Sequence, residues 1–195
     1  FVFGCGYKYL SFGPGGPAYI YGRPELIDAT WPAIAGWMGH ADIFAFADDF
    51  EPHPGVKAFL TATPMVGANE LASAAAEIWA EVDPKALWEK HRSLSEFAVE
   101  ILQSECAELG VELNSPAEYA KRGGHISFKA PGAGSVVEAL LDRGVVGSYR
   151  NPDSIRFGLS PLSLRHADVV LAVGRLKDVL ETEAWRDPKY AKVSV

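Results

Sequence analysis

Over its first 65 residues this chain is broken by glycine or proline so often that no long regular element fits. Gly13-Pro14-Gly15-Gly16-Pro17 is followed by Pro24, Pro32, Gly36, Gly39, Pro52, Pro54, Gly55 and Pro64. Proline fixes φ and lacks a donor, and glycine opens conformations closed to other residues, so these positions dictate turns. A segment built this way follows one specific path, and loops held on such paths often carry function. Between the turns, the apolar runs 2–5 and 18–21 read as strands of a buried sheet. An opening Phe1-Val2-Phe3-Gly4-Cys5, already inside a core-type strand, leads us to expect a fragment, or one piece of a longer or split polypeptide.

Past Pro64 the pattern turns helical. Leu71, Ala75, Ile78, Trp79 and Val82 recur at helical spacing over residues 66–82. Asp83-Pro84 reads as an N-cap followed by proline in the first helical position. It opens a long amphipathic helix with Leu87, Trp88, His91, Leu94, Phe97, Ala98, Ile101 and Leu102 on one side and Gly110 as its stop. Beyond it the spacing predicts a strand over 125–129, a helix over 135–143, strands over 145–149 and 154–159, and a helix over 166–183. The later part is thus an α+β layer of strands covered by helices. The expected division is residues 1–84, the incomplete end of a larger domain, and residues 85–195, a small carboxy-terminal domain.

The balance of 18 basic and 25 acidic residues gives a formal charge of −7. That argues against nucleic acid or an anionic membrane as the main partner, while leaving room for a local anion pocket. No apolar run reaches membrane-spanning length. The two cysteines, Cys5 and Cys106, form no disulfide framework and match no zinc spacing, so free thiols in a reducing cytoplasm and no metal site are expected.

Lys8, in Gly6-Tyr7-Lys8-Tyr9-Leu10, stands just past the first strand. An ammonium there loses hydration, which favours the neutral, nucleophilic amine that Schiff-base chemistry needs; a side chain reaching out to solvent fits the same placement. Tyr7-Lys8-Tyr9-Leu10 followed by Gly13-Pro14-Gly15-Gly16-Pro17-Ala18 resembles the stretch around the cofactor lysine of kynureninases, which use pyridoxal-5′-phosphate (PLP). In the same order come Gly36-Trp37-Met38-Gly39-His40, Asp42-Ile43-Phe44-Ala45-Phe46, Pro54-Gly55-Val56 and Thr63-Pro64. Further along stand Arg122-Gly123-Gly124-His125-Ile126-Ser127, Asp142-Arg143-Gly144-Val145-Val146, Pro152-Asp153-Ser154-Ile155-Arg156-Phe157-Gly158 and Ala184-Trp185. This collinearity over nearly the whole chain is what makes the resemblance specific.

The resemblance implies an α/β, PLP-dependent transferase-like fold (fold type I): the end of the large domain and the small carboxy-terminal one. It implies hydrolytic Cβ–Cγ cleavage of L-kynurenine or 3-hydroxykynurenine to anthranilate or 3-hydroxyanthranilate and L-alanine. Lys8 would bond PLP and move protons. Tyr7 would contact its phosphate and assist proton transfer. Trp37 and Thr63 would donate to the phosphate, an indole N–H and a hydroxyl being apt donors. Without the resemblance, Trp37 reads as a core aromatic and Thr63 as a turn cap. Arg156 would grip the α-carboxylate of the amino-acid substrate bidentately; on sequence alone a structural ion pair fits equally. His40 would lie near the substrate's ring, and Met38 stands where relatives are often aromatic. His53 and His125 read as structural. A homodimer is implied, and so is a missing amino-terminal half or companion chain, because the family's ring-stacking aromatic, acidic partner and phosphate helix precede the lysine. Another PLP enzyme of the same fold, such as a cysteine desulfurase or aminotransferase, and a non-catalytic remnant are the alternatives.

Overall fold

The computed structural model describes residues 1–191. The chain divides into two compact units, Phe1–Val82 and a second beginning at Asp83.

In the first unit, β1 (Val2–Cys5) and β2 (Ala18–Tyr21) pair antiparallel, with Phe3 opposite Ile20 and Cys5 opposite Ala18. A short helix α1 (Pro24–Asp28) follows, then 3-10 turns at Trp37–Gly39 and Val56–Phe59, then helix α2 (Val66–Ala80). The sequence pointed to strands in a buried sheet. Instead, β2 is exposed along its whole length, and Val2 and Phe3 are exposed as well. A ribbon of two strands has no second layer to bury either face, so its alternating apolar side chains remain in solvent. Helix α2 forms where its periodicity indicates, but it turns inward a stripe of Ala68, Ala72 and Ala75 and leaves Leu71 and Ile78 exposed.

The second unit starts with α3 (Pro84–Cys106). The Asp83 carboxylate accepts the Lys85 N–H at 2.9 Å, which caps the helix, and Pro84 sits in its first turn. One face buries Leu94, Ala98, Leu102 and Cys106, and Gly110 takes up the left-handed conformation just beyond. Trp88, expected on that face, is exposed, while His91 is buried with Nδ1 2.9 Å from the Tyr119 hydroxyl. Burial holds His91 below the usual histidine pKa, helped by the charge of Arg122 and opposed by a Gly124 backbone group.

Four antiparallel strands follow: β3 (Glu112–Leu113), β4 (His125–Lys129), β5 (Ser148–Arg150) and β6 (Ser154–Gly158), side by side in the order β3-β4-β6-β5. The strand expected over 145–149 forms three residues later, because Val145 is drawn into the core. Helices α4 (Ala133–Asp142) and α5 (His166–Glu181) complete the unit. Alternation along β4 and β6 sends Ile126, Phe128, Ile155 and Phe157 into one core with the apolar faces of α3, α4 and α5. The Phe128 and Phe157 rings meet edge to face, 5.1 Å between centroids. The opposite face carries His125, Ser127, Ser148, Arg150 and Arg156. At the start of α5, Asp168 accepts the Arg165 N–H at 2.8 Å and its guanidinium at 2.9 Å. Those bonds to the charged form pull the Asp168 carboxyl down to about 2. Among the described residues, no helix is long and apolar enough to cross a membrane.

Candidate active site

Lys8 lies in the loop that joins β1 to β2. The Gly6 N–H donates to the Pro17 carbonyl at 3.0 Å and the Phe12 N–H donates back to Gly6 at 3.0 Å, closing the base of the loop. A side chain at Gly6 would overlap the Phe12 ring, so the tight crossing needs glycine. Lys8 then opens a turn in which its carbonyl accepts the Ser11 N–H at 3.0 Å, with Ser11 at φ 58°. The Trp79 indole donates to the Leu10 carbonyl at 2.9 Å and ties this loop to α2. These hydrogen bonds hold the backbone around Lys8. Lys8 is exposed rather than desolvated, and its ammonium stands 5.4 Å from the centroid of the Tyr7 ring. No acidic group among the described residues pairs with it.

Trp37 begins the 3-10 turn 37–39, and that turn lies along the segment leading to Thr63. The backbone of Gly36 presses on Thr61 so closely that a Cβ would overlap the Thr61 carbonyl, and Gly39 approaches Ala58 and Leu60 in the same manner. Trp37 and Thr63 therefore sit on adjoining backbone segments. Trp37 is half exposed and Thr63 exposed, and neither the indole N–H, the threonine hydroxyl nor the Tyr7 phenol makes a hydrogen bond among the described residues. Trp37 and His40 line one hollow of about 280 Å³ with Ile43, Phe46 and Phe50. His40 itself is committed to the backbone. Its Nδ1 accepts the Asp42 N–H at 3.0 Å, and its Nε2 faces the Asp49 carbonyl at 3.3 Å. That leaves the faces and edges of its ring for any ligand, and one edge-to-face contact is already made with Phe50 at 5.9 Å.

Arg156 belongs to the second unit, on the polar face of the sheet. It is half buried, and its Nε donates to the Ser148 hydroxyl at 3.2 Å. No carboxylate among the described residues pairs with it, so the structural ion pair that its sequence context also allowed is not formed there. A half-buried guanidinium without a counter-ion is costly unless an anion completes it. His125 stands nearby; burial, then the charges of Arg156 and Arg150, hold its pKa below the usual value. Ser148 was not among the residues singled out by sequence. It was within reach: folding 145–149 back on 154–159 about the Asn151-Pro152-Asp153 turn sets Ser148 opposite Arg156.

Comparison with known proteins gives these residues a context. Residues 87–176 match the family described as the kynureninase C-terminal domain. A kynureninase of Burkholderia mallei is 38% identical over 188 residues, 96% of this chain and 45% of the relative. One from Deinococcus radiodurans is 39% identical over 93% of this chain and 44% of the relative. The chain thus spans about half the length of the curated relatives it matches. In three dimensions it is similar to the cysteine desulfurase CsdA of Escherichia coli, with a TM-score of 0.68 at 21% identity over 86% of this chain and 44% of that one. A C-DES variant described as having glycine covalently linked to its PLP cofactor gives a TM-score of 0.62 at 20% identity, over 84% of this chain and 43% of that one. At such identities the structural likeness shows the fold alone, that of the fold-type-I PLP enzymes, while in sequence the chain is similar to about half the length of curated kynureninases, its residues 87–176 matching the kynureninase C-terminal domain.

Proposed function

We propose that this chain supplies the lysine-bearing and carboxylate-binding part of a kynureninase, a PLP-dependent hydrolase that cleaves the Cβ–Cγ bond of L-kynurenine or its 3-hydroxy form. The observation that carries this reading is the alignment with curated kynureninases. It leaves out only 195 − 188 = 7 residues, so Lys8 and Arg156 both fall inside it. The donor set suits the cofactor: a primary amine for its aldehyde, and a phenol, an indole N–H and a hydroxyl, all without protein partners among the described residues, for its phosphate.

When bound, PLP supplies an electron sink conjugated to the substrate's amino nitrogen. Arg156 holds the substrate's α-carboxylate, which fixes Cα for proton removal. Lys8 Nζ takes the Cα proton before the carbon–carbon bond breaks and returns a proton to Cα afterwards. Tyr7 Oη, on the residue beside it, moves the proton of the water added to the γ-carbonyl as the carbon–carbon bond breaks. Trp37 Nε1 and Thr63 Oγ1 hold the phosphate. His40, with both ring nitrogens turned to the backbone, contributes a ring surface to the aromatic end of the substrate. The exposure of Lys8 and of the β1–β2 ribbon supports completion of the site by further polypeptide, and we infer a homodimer in which a companion segment provides the ring-stacking and acid groups. Two free thiols, Cys5 and Cys106, suit a cytoplasmic setting.

The test is product analysis with the natively purified protein and added PLP. Release of anthranilate and alanine from L-kynurenine, with no sulfur release from cysteine, supports the reading. Sulfur release without kynurenine cleavage overturns it in favour of a desulfurase.

A further inference from the structure

Arg156 occupies the middle of three aligned residues on the polar sheet face, with Ser127 opposite it on β4 and Ser148 opposite it on β5. A guanidinium offers a carboxylate two edges, Nε with one Nη, or Nη1 with Nη2. Here Nε already donates to Ser148 Oγ at 3.2 Å, so the protein itself occupies the first edge. The second edge has no partner among the described residues. Space is available beside it: at Gly158, two residues along the same strand face, an added Cβ would meet nothing within 4 Å. His125, opposite Gly158, is predominantly neutral at physiological pH and brings no rival positive charge.

We propose that Ser148 is the positioning residue for Arg156, fixing its guanidinium so that the Nη1–Nη2 edge alone receives the substrate's α-carboxylate. This rests on the reading above that Arg156 binds that carboxylate. The chemistry of a serine suits the task. Its hydroxyl accepts from Nε without cancelling the charge, whereas an aspartate in that position would pair with Arg156 and compete with the substrate. The hydroxyl also lies on a strand directly opposite, so one short side chain suffices to hold the fork. A guanidinium released from it would rotate among several orientations, and each binding event would then have to order it again.

The experiment is steady-state kinetics on L-kynurenine with the natively purified protein, alongside nitrogen-15 NMR of the Arg156 Nε–H. Ser148→Ala is expected to raise KM about tenfold, the weight of one hydrogen bond to a charged group, with kcat within about twofold. Ser148→Thr, which keeps the hydroxyl, is expected to restore KM, and Ser148→Asp to raise it further than alanine does. The Nε–H is expected to exchange slowly in wild type and Ser148→Thr, and rapidly in Ser148→Ala. An unchanged KM in Ser148→Ala, or a fall in kcat with KM constant, overturns the proposal while leaving kynurenine cleavage intact. If wild type does not cleave kynurenine, the carboxylate reading falls and the proposal with it; the NMR comparison then reports separately whether Ser148 holds the guanidinium.

Discussion

Phe128→Ala measures whether the sheet is packed as described. Phe128 is fully buried on β4 and meets Phe157 edge to face at 5.1 Å. Removing a buried phenylalanine costs about 3–5 kcal/mol, through lost transfer energy and the cavity left behind. The edge-to-face pair with Phe157 and the full burial place this site toward the middle of that range, at about 4 kcal/mol. At about 2–4 °C per kcal/mol for a chain of this size, the melting temperature is expected to fall by roughly 10 °C. In urea the midpoint is expected to drop by about 2 M, for a slope near 2 kcal/mol per M. Val146→Ala is the control, since Val146 is 80% exposed in the same unit and is expected to cost under about 0.5 kcal/mol. The assay is near-ultraviolet circular dichroism against urea and temperature. A cost below about 1 kcal/mol for Phe128→Ala, or equal costs for the two variants, would refute the assignment of Phe128 to the core face, and with it the assignment of Ser127 and Arg156 to the other.

Two further predictions concern titration. Asp168 is held at about 2 in the folded protein, below its ordinary 3.8, so its contribution is fully present above about pH 4 and is lost as pH falls through 2. Asp168→Asn is therefore expected to lower the melting temperature at pH 7 and to converge on wild type at pH 2; equal melting at pH 7 would contradict the cap. Burial pushes the Cys106 thiol up to about 11, so at pH 8 it is almost wholly protonated and shielded. Iodoacetamide is expected to label Cys106 only after denaturant is added; native labelling at the rate of a free thiol would show that α3 does not bury it.

What could be read in the sequence was what local chemistry determines. The Asp83-Pro84 start of α3, its Gly110 stop and the strand over 125–129 follow from caps, turn residues and periodicity, and the structure places all three there. Exposure was harder to read, because it depends on what covers an element. The runs 2–5 and 18–21 have core composition yet lie open on a two-stranded ribbon, and Lys8, whose placement fitted either a desolvated amine or one reaching out to solvent, is exposed with them. In α2, Ala75 and Trp79 turn inward as their spacing suggests, in line with the buried Ala68 and Ala72, but the more apolar Leu71 and Ile78 lie at the exposed edge of that face. The contact between Arg156 and Ser148 depends on strand pairing, which neither strand contains alone; only the turn between them sets the register.

The central claim, that Lys8 carries the cofactor, is tested most directly by trapping it. The natively purified protein is incubated with PLP, reduced with borohydride and digested, and the modified peptide is located by mass spectrometry. A pyridoxyl group on Lys8, absent after Lys8→Arg, is the predicted result. Modification confined to other lysines, or unchanged by that substitution, would contradict the account.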